Sequence, residues 1–250
     1  MKNLQLLPQL EEPAKAQLVQ PAGSGYVLLA AEVDAHPLLW ASRTKRNLID
    51  DCKGWCEHVA RQPGVLEALT FQGILAPPIG ESRFLRRRRS EFNRARFDLV
   101  VLVETESVAR AEALLSSGAW RVLEAHVRDE AGHVYVATAA NVKRIGAVDH
   151  RRGGVFLFNY FYADSLEQNL AVWEHTAGWF QKETGLDNST VLAPTKPDLS
   201  QYTLINHCRW DRLSDILPSL LFKRSFREFV LAHFDANDIA PMPILYKLAG

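Results

Sequence analysis

The sequence predicts an α+β fold of two tandem units, each running strand–helix–strand–strand–helix–strand. Their antiparallel sheets are expected to pack together into one barrel-like core. Three observations carry this. First, the chain repeats itself weakly at half its length. Gly64 matches Gly185, and ILAP (74–77) matches VLAP (191–194). FDLVVLVET (97–105) lies over YTLINHCRW (202–210), and LEAHV (123–127) over VLAHF (230–234). These matches keep one order along the chain, as a duplication requires. Second, hydrophobic periodicity gives the same succession of elements in both halves. This succession is the ferredoxin-like split unit, with both helices on one face of its sheet. Third, GGVFLFNYFY (153–162) is apolar on both faces. Helices can cover only one of them, so the other must meet a second sheet.

Each element has its own signal. Residues 1–24 mix Pro, Gln, Glu and Gly without a period and read as an extended or mobile arm. The first unit, 25–142, opens with a strand at 26–33. After an insertion (35–46) comes a helix at about 47–61. Strands follow at 66–76 and 96–104, then a helix at 108–127 and a strand at 133–140. Residues 143–152 read as a linker. The second unit, 153–250, begins with the apolar strand. Ser165 and Gln168 are spaced as a capping box, opening a helix. Leu166, Leu170, Trp173, Ala177 and Phe180 form its apolar stripe. Gly185 ends it, glycine being the residue that best tolerates a left-handed C-cap. Strands at 188–194 and 202–210 flank a proline turn. One long helix at 212–234 and a strand at 241–249 complete the unit. Transposing the stripe by the Gly64/Gly185 offset places Ile49, Cys52, Cys56 and Val59 on the core face of the first helix.

Composition narrows the class. The 250 residues carry 29 Lys+Arg against 29 Asp+Glu, so the chain has no global basic footprint for nucleic acid. The longest apolar runs are too short to span a bilayer, and the start is not a secretory signal. Three cysteines make no disulfide framework and fit a reducing, cytoplasmic setting. The expected partner is a small molecule, with neither nucleic acid nor membrane, and the chain is expected as a pseudo-dimeric monomer or a homodimer.

NLAVWEHTAGWFQKETGLDNSTVLAP (169–194), ALLSSGAWRVLEAHV (113–127) and PILYKLA (243–249) resemble the antibiotic-biosynthesis-monooxygenase-like family of dimeric α/β barrels. The shared features are a Trp-bearing helix, a Gly, a strand ending in a small loop, and the closing strand. The family usually builds its barrel from two chains; here the repeat implies that one chain does so. The resemblance implies cofactor-free oxygenation of a small aromatic or apolar molecule, without metal. Some members degrade haem, and at Asn159 this chain is similar to them. Their Trp and His are not matched: Leu114 and Glu124 stand there in the first unit, Leu220 and Val230 in the second.

The residues that bear on chemistry lie in the second unit. Asn159 interrupts an apolar strand, and a buried amide needs a partner. It is read as orienting substrate or dioxygen in the cleft between sheet and helices, against a plain structural hydrogen bond. Asn206 and His207 point to opposite faces of their strand, where the first unit has Val101 and Leu102. His207 is a candidate acid or base. Tyr160, Trp173, Trp179 and Asn206 are candidate pocket residues, although Tyr160 and Trp173 cannot both line one pocket. His175 is expected in solvent. His126 and His233 are expected as cations at helix ends. Cys52 and Cys56 are read as core thiols. FLRRRRSEFNRAR (84–96) reads as a solvated, mobile loop. The alternatives to an oxygenase are a non-enzymatic ligand-binding or scaffold protein, and a haem-binding protein. A cavity of a few hundred cubic ångströms beside Asn159 or His207 separates ligand chemistry from a packed scaffold.

Overall fold

A computed structural model describes residues 4–8, 14–34, 41–80, 82–88 and 92–249. The first half comprises β1 (Gly25–Glu32), α1 (Arg43–Val59), β2 (Val65–Leu75), α2 (Arg83–Arg87), β3 (Leu99–Thr105), α3 (Val108–Leu115), α4 (Gly118–Glu130) and β4 (His133–Gly146). The second comprises β5 (Val155–Ala163), α5 (Leu166–Thr184), β6 (Ser189–Pro194), β7 (Leu204–Trp210), α6 (Leu213–Phe222), a π-helical turn (Phe226–Leu231), α7 (Ala232–Ala236) and β8 (Ile239–Leu248).

All eight strands close into one antiparallel barrel in the order β1-β3-β2-β8-β5-β7-β6-β4. The first half contributes 4-1-3-2 and the second 8-5-7-6, the same ferredoxin-like order twice. The halves are stitched by β2 with β8 and by β4 with β6. Equivalent residues keep equivalent partners: Leu29 faces Val101 on β3, and Asn159 faces Asn206 on β7.

Strand alternation sorts the side chains into three cores. Leu28, Phe71, Leu102, Phe156, Phe158, Tyr160 and Tyr246 fill the barrel. Val27, Leu29, Val101 and Val103 face α1, α3 and α4, where Trp120 is fully buried. Leu157, Phe161, Leu204 and Cys208 face α5 and α6. The apolar content of the strands is thus used on both sides of the sheet. Ile49, Cys52, Cys56 and Val59 are buried as expected. Burial pushes the Cys52 thiol up to about 12 and Cys56 to about 11. Both therefore stay protonated and act as small apolar groups.

Several boundaries differ from expectation, each for a physical reason. β4 runs to Gly146 because its second part pairs with β6 of the other half, which shortens the linker. The helix expected at 108–127 is two: the Ser117 side chain accepts the Trp120 N–H and starts α4 afresh. The helix expected at 212–234 breaks at Lys223, whose ψ is 120°. The insertion expected at 35–46 lies partly outside the described residues, and its end already belongs to α1.

The stripe expected on α5 is rotated. Asn169, Val172, Thr176, Gly178 and Trp179 are buried beside Trp173 and Ala177, while Leu166 is exposed. The cause is the arm, which covers a second face of the helix. Gln17 N–H donates to Gln181, and a Cβ on Gly178 would lie only 1.9 Å from the Ala14 carbonyl oxygen. Gly178→Ala is therefore expected to expel residues 14–19 from α5 while the barrel stays folded. Faster proteolysis in that segment, with circular dichroism unchanged, would show it. Ser165 caps α5 as expected, but the Gln168 side chain donates to Asn237 instead of closing the box.

The arginine segment is also not a free loop. Phe84 and Leu85 are buried in the barrel core. Arg83, Arg87 and Arg88 pair with Asp235, Asp238 and Asp164 of the second half. Phe84, Leu85 and Ala95 anchor it in the barrel core, and its ion pairs cross the junction between halves.

Candidate functional site

Two polar constellations stand out, on opposite faces of the second-half sheet. The first lies between that sheet and α5, α6 and the π-helical turn. Asn159 and Asn206 are cross-strand partners on the helix-facing side. They interrupt an apolar cavity of about 50 Å³, lined also by Leu157, Trp173, Phe180 and Phe226. The Ser189 hydroxyl donates to Asn206 Oδ1 at 2.5 Å, while Asn206 Nδ2 reaches only Cys208 Sγ at 3.9 Å. Asn159 Oδ1 is buried and has no hydrogen-bond partner among the described residues. A buried carbonyl oxygen left unpaired costs about 1–3 kcal/mol, which a guest with an O–H or N–H would recover.

The first half shows why this is specific to the second. Its equivalent positions are Leu29 and Val101, packed against helices that carry Trp120. In the second half the covering helix breaks at Lys223 and resumes into a π-helical turn, whose Phe226, Val230 and Leu231 line the cavity. Wide helical turns of this kind recur at functional sites.

The second constellation is inside the barrel. His207 is buried, with its ring stacked on Phe158 at a centroid distance of 4.1 Å. Its Nδ1 lies 3.0 Å from the Leu157 carbonyl oxygen, and its Nε2 lies 2.8 Å from His150 Nε2. His150 Nδ1 in turn contacts Glu67 Oε2 at 2.6 Å. The proton inventory follows from the partners. A carbonyl only accepts, so His207 carries its proton on Nδ1. Burial first, and His150 second, holds the His207 pKa well below the ordinary imidazole value. His207 Nε2 is then a lone pair, so His150 donates to it. The contact between His150 Nδ1 and Glu67 Oε2 completes the chain. The chain thus ties β2, the segment before β5, and β7 together through the barrel wall.

The sequence-predicted residues therefore divide. Asn159, Asn206 and Trp173 meet in the sheet–helix cavity. Trp179 belongs to the same core, but its indole N–H donates to Ser225 and it does not line the cavity. His207 and Tyr160 lie across the sheet inside the barrel, so neither meets Asn159. Burial holds the Tyr160 phenol well above its usual range. Sequence reasoning missed His150, hidden in a segment read as linker, and Glu67. The latter carried a signal: period two places it on the inward face with Leu69 and Phe71.

Two further histidines correct their expected surroundings. His233 is fully buried in the last turn of α7: its Nδ1 donates to the Phe229 carbonyl and its Nε2 accepts the Leu7 N–H. His175 is not in open solvent; its ring lies 4.7 Å from that of His233. Haem does not fit the residues present. The cavity is far smaller than the roughly 300 Å³ of ordinary ligand sites, and no histidine lines it. The strand histidine His207 is enclosed in the barrel. Among the described residues no cluster of three or more metal-ligating side chains occurs. Nor is any helix long and apolar enough to cross a membrane.

Neither a family model nor a curated protein matches the sequence. Solved structures do match in fold. An anthrone oxidase-like protein superposes with a TM-score of 0.65 at 10% identity, over 95% of this chain and 94% of that one. A candidate monooxygenase from Fusobacterium nucleatum subsp. nucleatum superposes with a TM-score of 0.53 at 9% identity, over 91% and 92%. At such identities the likeness concerns the dimeric-α/β-barrel fold alone.

Proposed function

We propose that this protein takes a small aromatic or otherwise apolar molecule into the second-half cavity and belongs, in function, with cofactor-independent oxygenases. The observation that carries the reading is the unpartnered Asn159 Oδ1 beside Asn206 in an otherwise apolar cavity, at a position where the first half is purely apolar. Asn159 would accept a hydrogen bond from the guest's hydroxyl, and Asn206 Nδ2 would donate to a neighbouring oxygen. Trp173 and Phe180 would flank the guest. The fold shared with an anthrone oxidase-like protein supports a polycyclic phenol as the first substrate to try. In the closed state described here the cavity is small, so binding requires the π-helical turn or Ile79 to move.

A specific observation also favours a non-enzymatic binding role. The cavity lining holds no carboxylate or imidazole, and burial keeps Cys208 protonated. Proton removal would fall to the substrate's own acidity, because His207 lies beyond the sheet. One experiment separates the readings: dioxygen uptake with anthrone, in parallel with calorimetric binding. The oxygenase reading expects uptake that Asn159→Leu lowers about tenfold, the worth of one hydrogen bond of about 1.4 kcal/mol. Binding without uptake would leave the carrier reading. Uptake equal in wild type and Asn159→Leu would remove Asn159 from the chemistry.

A further inference from the structure

The cavity is not isolated. Ile79 and Pro241 line it and also line two open grooves, of about 430 Å³ and 460 Å³. Leu231 and Phe234 form a further shared wall with the larger groove. A few side chains thus separate the unpartnered amide from solvent. One of them, Ile79, is supplied by the first half, next to Gly80, whose φ of +85° favours glycine.

The rim of the larger groove is cationic. It holds Arg83, Arg86 and Arg227, with Asp235 as the acid among them. Asp235 is committed: it accepts both the backbone N–H and the Nε–H of Arg83, at 2.9 and 2.8 Å. Arg227 donates to the Leu221 carbonyl, a neutral partner that leaves its charge uncompensated. The Arg86 backbone N–H donates to the Ser82 carbonyl, and its guanidinium has no hydrogen bond or ion pair among the described residues. Two free positive charges, one from each half, therefore stand where an apolar passage meets water. In a chain of zero net charge this is a local device. The guanidinium fork suits a carboxylate or sulfonate.

We infer that the molecule taken by this site is an amphipathic monoanion: an apolar ring system for the cavity, and an acidic group held at the mouth by Arg86 and Arg227. This rests on the reading of the cavity as a ligand site. Ile79 is the gate between the two parts.

The test uses two dyes sharing one ring skeleton, the sulfonate 8-anilinonaphthalene-1-sulfonate and the neutral N-phenyl-1-naphthylamine, titrated by fluorescence against the full chain. Both are expected to bind. Arg86→Gln with Arg227→Gln should weaken the sulfonate about tenfold, the loss of a charge-assisted contact, and leave the neutral dye within about twofold. Raised salt should act in the same selective way. Ala177→Leu, which fills the cavity, should weaken both dyes, and Ile79→Ala should speed both. Ile79 is a partly exposed loop residue, so its variant keeps the test open if Ala177→Leu folds poorly. Arginine variants that leave sulfonate binding unchanged, with both dyes still sensitive to Ala177 or Ile79, overturn the anion inference alone. Failure of both dyes to bind overturns the cavity reading beneath it. A sulfonate sensitive to the arginines but not to Ala177 or Ile79 is a surface contact and also overturns the inference.

Discussion

Asp98→Asn is expected to lower stability by about 3–5 kcal/mol, the cost of breaking a buried ion pair from one side. Lys45 and Asp98 have side-chain exposures of 0% and 1%, with Nζ 3.0 Å from Oδ2. The same carboxylate accepts the Val33 and Asp34 N–H groups at 2.8 and 3.1 Å. It therefore joins α1 to the end of β1, as well as neutralising the lysine. Asparagine would leave an ammonium with no counter-charge in a dry site. The double variant Lys45→Met/Asp98→Asn should recover much of the loss, because a buried pair is often replaceable by apolar groups. Denaturant unfolding of the two single variants and the double gives the coupling directly. A double variant no more stable than Asp98→Asn would show that the missing charge is not the cause. Neither residue was singled out from sequence. Lys45 falls in the segment read as insertion, and Asp98 stands at the head of a strand, where an acid ordinarily caps or turns.

Stability is expected to fall with pH below about 6.5, by about 1.4 kcal/mol per pH unit, through His207. The sign follows from linkage. Burial depresses the folded-state pKa of His207. Above the unfolded value the imidazole is neutral in both states, and its contribution is complete. As pH falls past that value the unfolded chain takes up a proton that the folded chain refuses, so unfolding gains. The loss continues down to the folded pKa. His207→Leu should flatten this part of the profile. It should also cost stability at pH 8, since the Leu157 carbonyl and His150 lose their partner, at about 1–3 kcal/mol for each group left unsatisfied. A pH profile that keeps its slope in His207→Leu would assign the titration elsewhere. His175 is half-buried and is also shifted downward, by burial first and by His233 second, so it adds to the same slope.

The fold was legible because its signals are local and redundant. The two halves were read with the same order of elements, and the Gly64/Gly185 offset carried a helical stripe from one half onto four buried residues of the other. The opposite orientation of Asn206 and His207 followed from the strand period alone. What was not legible depended on contacts between distant segments. The rotated face of α5 comes from an arm more than 150 residues away, docked on Gly178. The ordering of the arginine segment comes from acids on the other half. His150 acquires its role only because the segment before β5 returns to the barrel wall between Glu67 and His207. A periodicity argument sees one element at a time and cannot place such partners. The same limit explains the candidate site. Asn159 and Asn206 could be paired by register, but which of the named histidines and tyrosines shared their face was a matter of counting inward and outward positions. Asn159, Asn206 and Trp173 fall together, whereas Tyr160 and His207 fall on the far side of the sheet.

A crystal structure of the protein saturated with N-phenyl-1-naphthylamine tests the second-half cavity most directly. The expected result is ring density between the second-half sheet and α5, with the dye's N–H within hydrogen-bond distance of Asn159 Oδ1. Ile79 or the π-helical turn should be displaced from the position it holds here. Dye bound stoichiometrically elsewhere, with the cavity closed and Asn159 Oδ1 still unpaired, would contradict the account.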